Sequence, residues 1–358
     1  MPAHYRPITL ARAGELAAVA HLRAATHAAI TPIFQAPPRE WDFESSKFSK
    51  TLAAHLSQLP TKLSNARGTY PAFLDAGLLD AETPIRGLHP LEHLVREAHV
   101  LGLPLTPATA PDRSPMYETA VRNLHRDFGR GVAILLDASQ WLTVDSSALP
   151  ATMARLGMTP ADIDMVIDYG AAEGPLIEAA AAAEIIAVNA LGAFRSVTLG
   201  GGSFPDTQGL ARGITTHPRT DWSVWRNVVT KLNNASHAIP DYSDRLILRP
   251  ESIELSIDPR FISISAALRY TTEEDWLFAK GELFKGPAGT SRGGAALMSP
   301  LNALIMHPEY ATPVRTQAED WIEAVHSSQA TPGNPTKWRE WGTVRHFEVM
   351  EHLLARIP

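Results

Sequence analysis

The chain has no cysteine among its 358 residues. That absence excludes disulfides, thiolate zinc sites, iron–sulfur clusters and cysteine nucleophiles, and it fits a reducing compartment. Charge of one sign is not in excess either, with 32 Lys and Arg against 38 Asp and Glu and a formal net charge of -6. Such a chain projects no broad positive field, so neither nucleic acid nor an acidic membrane is an expected partner. Long apolar runs are missing. The longest small-apolar stretch, Ala179 to Val188, is interrupted by Glu184 and falls far short of the roughly 20 residues that span a bilayer. The opening Met1-Pro2-Ala3-His4-Tyr5-Arg6-Pro7 has no apolar signal core behind a basic start, which makes the cytoplasm the expected location.

Several signatures of named chemistry are also missing. There is no Gly-x-x-x-x-Gly-Lys-Ser/Thr, His-Glu-x-x-His, Gly-x-Ser-x-Gly or helix-opening Gly-x-Gly-x-x-Gly. No His-x-His stands on a strand of the kind a barrel metallohydrolase would show. Lysine is scarce in the strands, which argues against a Schiff-base aldolase.

What is present is a rhythm. A hydrophobic fraction of 45% is ample for a sizeable core. Short apolar runs alternate with helical patterns: strands at Tyr5–Ala11, Ile30–Gln35, Tyr70–Leu79, Leu103–Ala108, Gly131–Ala138, Asp164–Gly170 and Phe194–Leu199, with an eighth somewhere in Ile239–Arg249. Helical spacing falls between them, at Gly14–Ala24, Lys47–Leu59, Pro90–Leu101, Pro115–Phe128, Glu173–Ala190 and Thr220–Asn234. Strands alternating with crossover helices imply parallel pairing, and seven or eight such units in this length predict an α/β fold, a (β/α)8 TIM-like barrel. The tail leaves the rhythm. Ile262–Tyr270 and Asp275–Lys280 predict a β-hairpin around Thr271-Thr272-Glu273-Glu274, Gly286–Gly294 a glycine-rich loop, and Arg315–Ser328 and Lys337–Ile357 two closing helices. The expected organisation is one barrel domain over 1–358, with an accessory hairpin at 262–281 and C-terminal helices at 315–358 packed on it.

Certain residues carry a resemblance. Tyr5-x-Pro7-Ile8 with Arg12-x-Gly14-Glu15, then Ile30-Thr31-Pro32-Ile33-Phe34, resemble the start of the beta-protein family, named for the beta protein of T-even-type phages and found in many bacterial genomes. Asp164 to Asp168 with Gly170, Ser196-Val197-Thr198 leading to Gly202-Ser203-Phe204-Pro205, Arg269-Tyr270-Thr271 with Trp276 and Lys280-Gly281, and Trp338-Arg339 through Gly342 and His346 extend the likeness nearly end to end. The resemblance implies a phage-related setting and a role in phage–host conflict, and it names no reaction. The chain departs from the family's expected pattern at Gln35, where an acidic residue is expected, at Leu136, where Arg or Lys is common, and at Arg345-His346, where a His-His pair is common.

In a barrel, ligand chemistry gathers at the C-terminal ends of the strands. Asp75, Asp137 and Asp168 fall at such ends, where converging carboxylates could act as acid and base or hold a divalent metal, and where single aspartates equally cap the next turn. Gly200-Gly201-Gly202-Ser203 follows the seventh strand, at a position that often binds phosphate, although a glycine run also serves as a plain turn. Arg12, Arg269 and Lys280 could hold an anion or simply solvate the surface. His346, on a terminal helix, is expected to be a structural histidine. Trp222 and Trp225, three apart on a helix, are expected in the core.

Two functional classes follow. One is an enzyme or binding barrel for an anionic, phosphate-bearing small molecule, with Gly201, Gly202, Ser203, Arg12, Arg269 and Lys280 around the ligand and Asp168, Asp137 and Asp75 as the catalytic carboxylates. The other is a protein-binding body in phage defence that turns nothing over, its partner surface built from the hairpin and the terminal helices.

Overall fold

The computed structural model describes residues 3–137, 148–171, 173–207, 209–249, 263–287 and 289–357. Eight parallel strands form one sheet whose spatial order is also the chain order: Ile8–Leu10, Ile33–Gln35, Ala72–Asp75, Leu105–Thr109, Val132–Asp137, Ile163–Asp168, Ser196–Gly201 and Asp241–Asp244. The two ends of the sheet meet. Tyr5 bridges Tyr242 in parallel, Arg6 N–H donates to the Tyr242 carbonyl at 2.8 Å, and Tyr242 N–H donates to His4 at 3.0 Å. The result is a (β/α)8 barrel.

Near-continuous apolar runs such as Val132–Asp137 and Ile163–Asp168 are what a strand buried on both faces requires. Ile8, Ile33, Phe73, Ala108, Ala133 and Val166 pack together inside the ring. Their neighbours in sequence, Phe34, Leu74, Ile134, Met165 and Ile167, face the helices and the main core. Because side chains alternate along a strand, the inward set continues at every second residue. Gln35, Asp75, Asp137, Asp168 and Gly200 therefore point inward at the C-terminal mouth.

The helices around the ring follow local signals. Pro115–Phe128 starts behind Ser114, whose hydroxyl accepts from Tyr117 N–H, and stops at Gly129 in the left-handed region (φ 64°). Pro335–Leu354 starts behind Asn334, which accepts from the amides of Thr336 and Lys337. This last helix packs on the first, Ala13–His21, and supplies the cover that an eighth crossover helix would give.

Most of the added unit lies between the eighth strand and that helix. Its sheet has three antiparallel strands, not two: Gly213–Pro218, from the segment after the seventh barrel strand, pairs with Asp275–Lys285, which pairs with Ile264–Thr271. Met298–Ile305 and Gln317–His326 cover it, and Leu268, Tyr270, Leu277, Leu301, Leu304, Trp321 and Ile322 share a core there. Among the described residues no helix is long and apolar enough to cross a membrane.

Other boundaries differ from expectation for physical reasons. The third strand ends at Asp75, and Gly77–Leu79 forms a 3-10 turn. Lys47–Leu59 is not one helix: Lys47–Phe48 pairs with Trp41–Asp42, and the helices are Leu52–Leu56 and Leu59–Arg67, the second accepting Pro60 in its first turn. Ala148–Leu156 adds a helix with no counterpart in the sequence pattern. Ala138 and Ile262, at the edges of two expected strands, lie outside the described residues.

Candidate functional site at the barrel mouth

Two inward aspartates are each matched by an arginine from a following loop. Asp168 is buried, accepts from Gly170 N–H at 2.9 Å and pairs with Arg245, just past the eighth strand. Asp75, also buried, accepts from Gly77 N–H at 2.9 Å and Gln35 Nε2 at 3.2 Å, with Arg113 at 3.3 Å and the Tyr117 hydroxyl at 3.1 Å. Arg113 reaches this spot by lying across Gly77, where a Cβ would stand 2.2 Å from its Nη2. Asp137 is exposed and is the register partner of Asp168. Among the described residues no three His, Asp or Glu side chains gather closely enough to hold a metal ion. Asp75 and Asp168 are each held by a backbone N–H and a guanidinium.

A shallow cleft opens at this mouth between Thr9, Leu10, Gln35, Arg245, Leu248 and Arg249. Arg249 also pairs with Asp206 at 2.9 Å. Nε of Arg245 is buried with no hydrogen-bond partner, so one donor of this guanidinium is unspent beside the cleft.

The glycine run after the seventh strand is tightly packed. A Cβ at Gly200 would lie 2.5 Å from Ser243 Cβ, and one at Gly201 would lie 2.5 Å from the Tyr169 ring and 2.7 Å from the Gly170 carbonyl. Gly202 N–H donates to that same carbonyl at 2.7 Å. Ser203 donates to Asp221 and accepts from Trp276 Nε1 at 3.1 Å. Burial pushes the Asp221 carboxyl above its usual range, against the pull of Arg219. Lys280 donates to the Leu210 carbonyl at 2.7 Å.

The remaining basic candidates meet elsewhere on the rim. Arg12 stands just before the first helix, at its N-cap position, with no side-chain hydrogen bond to the helix's first turn. Arg269 donates to the Ile247 carbonyl at 2.7 Å and lies over the Phe204 ring, 4.8 Å from its centroid. Burial, and after it the nearby Arg339, brings Arg269 down to about 10.

His346 belongs to a different layer. Asp244 faces out of the ring toward the terminal helix, where His346 Nε2 lies 2.8 Å from its carboxylate and 3.0 Å from the Tyr5 hydroxyl. The imidazole stacks on Trp276 (5.1 Å, 23°), and its Nδ1 lies 3.0 Å from Thr271. Leu136 likewise faces the helices, within the main core, so that departure from the family pattern is not at the mouth; Gln35 is.

Arg113, Arg245, Asp221 and Asp244 carry no signal in sequence comparable to the strand-end aspartates. Asp244 does close a strand, but the expected range for the eighth strand, Ile239–Arg249, fixes no end, so its position could not be read as one.

A closed ring of eight parallel strands, each bringing polar groups to one rim, defines a (β/α)8-barrel protein. The family described as Beta protein matches residues 5–351, and the chain belongs to it. No curated protein sequence matches the chain. Among solved structures it is similar to the tryptophan synthase A-subunit of Pyrococcus furiosus, with 14% identity over 68% of this chain and 88% of that one and a TM-score of 0.40. It is also similar to the YdjI aldolase of Escherichia coli K12 (9% identity, 68% and 74% covered, TM-score 0.35). A third likeness is to a D-psicose 3-epimerase (10% identity, 71% and 88% covered, TM-score 0.35).

Proposed function

We propose that the barrel binds a small anionic molecule at its C-terminal mouth. One observation carries the reading. Arg245 and Arg249, from a single loop, line the same cleft as Gln35, and the buried Nε of Arg245 has no partner. Guanidiniums suit planar, bidentate recognition of carboxylate or phosphate. Asp168 orients Arg245 by pairing with it, leaving other edges of the guanidinium for the ligand. Asp168, through Arg245, is the candidate carboxylate tied to this cleft, and Asp75 is tied to it through Gln35.

Calorimetric titration with inorganic phosphate and glucose 6-phosphate tests this reading. Saturable binding is expected in the micromolar to millimolar range, weakened at least tenfold (about 1.4 kcal/mol) in Arg245→Gln. No saturable binding of either anion would overturn it, and would favour the partner-binding barrel of phage–host conflict.

A further inference from the structure

One wall of the mouth cleft has its chemistry fixed from behind. Leu10, Gln35 and Asp75 stand in register at the ends of the first three barrel strands. The Asp75 carboxylate is buried, and its two oxygens are supplied differently. Oδ1 accepts from Gly77 N–H at 2.9 Å, with Arg113 Nη2 at 3.3 Å and the Tyr117 hydroxyl at 3.1 Å. Oδ2 has one donor among the described residues, Gln35 Nε2 at 3.2 Å. A carboxylate facing a guanidinium offers acceptors only. Turned the other way, the Gln35 amide would set its own oxygen against Oδ2 and leave a buried carboxylate oxygen without a donor. The amide is therefore held one way round, and Oε1 is the atom left over. No described residue donates to Oε1, and Gln35 lines the cleft.

Arg245 lines the same cleft and brings the opposite kind of group, a buried Nε–H with no acceptor. Leu10 and Leu248 line it too and are apolar. A ligand that satisfies this lining carries an anionic group for the guanidinium, a hydroxyl to donate to Oε1, and a short aliphatic stem. We propose that Gln35 is a specificity-determining residue and that the mouth takes a short hydroxyalkyl phosphate, its phosphate on Arg245 and its O–H donating to Gln35 Oε1. This rests on the mouth reading above. Asp75 is a positioning residue that acts through the Gln35 amide. A ligand of the same shape without the hydroxyl leaves Oε1 against a methyl group and cut off from water. Such a site discriminates by the acceptor it leaves unpaired.

The test is calorimetry on the full chain with three phosphate esters of equal charge. The first is 2-hydroxyethyl phosphate, and the second is propyl phosphate, in which a methyl replaces the hydroxyl. The third is 2-methoxyethyl phosphate, whose ether oxygen accepts but cannot donate. The hydroxyethyl ester is expected to bind about fivefold more tightly than either of the others, the worth of one neutral hydrogen bond. Gln35→Leu should bring all three to the affinity of propyl phosphate. Equal binding of the three to the unaltered protein overturns the inference without any variant having to fold. Equal binding of the alcohol and the ether also overturns it, since the amide would then be donating. A preference that survives in Gln35→Leu does the same. In each of these cases the mouth reading stands, because the phosphate still binds. If inorganic phosphate binds and none of the esters does, this inference falls alone. If inorganic phosphate and glucose 6-phosphate fail as well, the mouth reading falls with it.

Discussion

Asp244, closing the eighth barrel strand, and His346, on the terminal helix, lie 2.8 Å apart with neither side chain exposed to solvent. Burial alone would raise the Asp244 carboxyl, and the imidazole beside it reverses this and holds it below its usual range. Replacing His346 with Ala leaves a buried carboxylate without its main partner and removes the contacts to Tyr5 and Thr271. Urea denaturation of His346→Ala should show a loss of roughly 3–5 kcal/mol. A loss below about 1 kcal/mol would mean that Asp244 is satisfied without the histidine.

Gly201→Ala forces a methyl into the Tyr169 ring and the Gly170 carbonyl, where neither a backbone oxygen nor a packed ring can yield cheaply. Overpacking of this kind costs roughly 1–3 kcal/mol, and the same denaturation experiment should register it. A glycine run serving only as a flexible turn would tolerate the change.

Gly77→Ala meets only the far end of a flexible side chain, Arg113. Stability should change by less than about 1 kcal/mol. The guanidinium must nevertheless leave its place beside Asp75, and that displacement should be visible in a crystal structure of the variant. An unmoved Arg113 would show that the backbone, not the side chain, gives way.

Acid should weaken the fold through two histidines. Burial, followed by Arg6, lowers His4 to about 4 from 6.5, and burial, followed by Arg67, lowers His27 to about 4. A histidine depressed in the native state is neutral in both states above pH 6.5. Below that the unfolded chain takes up the proton first, so stability declines from pH 6.5 to about 4 and levels off beneath it. Thermal melting from pH 7 to 4 should follow this course, and His4→Gln should flatten it.

The ring itself was legible because its cause is local. Parallel strands buried on both faces must be apolar almost throughout, and runs such as Val132–Asp137 announce themselves. The third strand of the added sheet was not legible. Gly213–Pro218 (GITTHP) is half-exposed and too short and polar to show a period, and only pairing with Asp275–Lys285 makes it a strand. The site divides in the same way. Asp137 and Asp168 could be read from position, since they stand within two residues of the expected strand ends, whereas Asp75 falls inside the expected third strand and closes it only in the structure. The partners of Asp75 and Asp168 could not: Arg113 and Arg245 arrive from loops. Arg12, Arg269 and Lys280 are legible as basic residues at strand ends, but their contacts, such as the loop carbonyl that Lys280 holds, are not.

The hydroxyl of Tyr5 and the ring of His346 touch across a separation of 341 residues, and the strand that carries Tyr5 is also the one that seals the sheet. The closure of the ring is therefore tied to a contact between segments 341 residues apart, so a chain cut between them keeps the seam only while its two fragments stay associated.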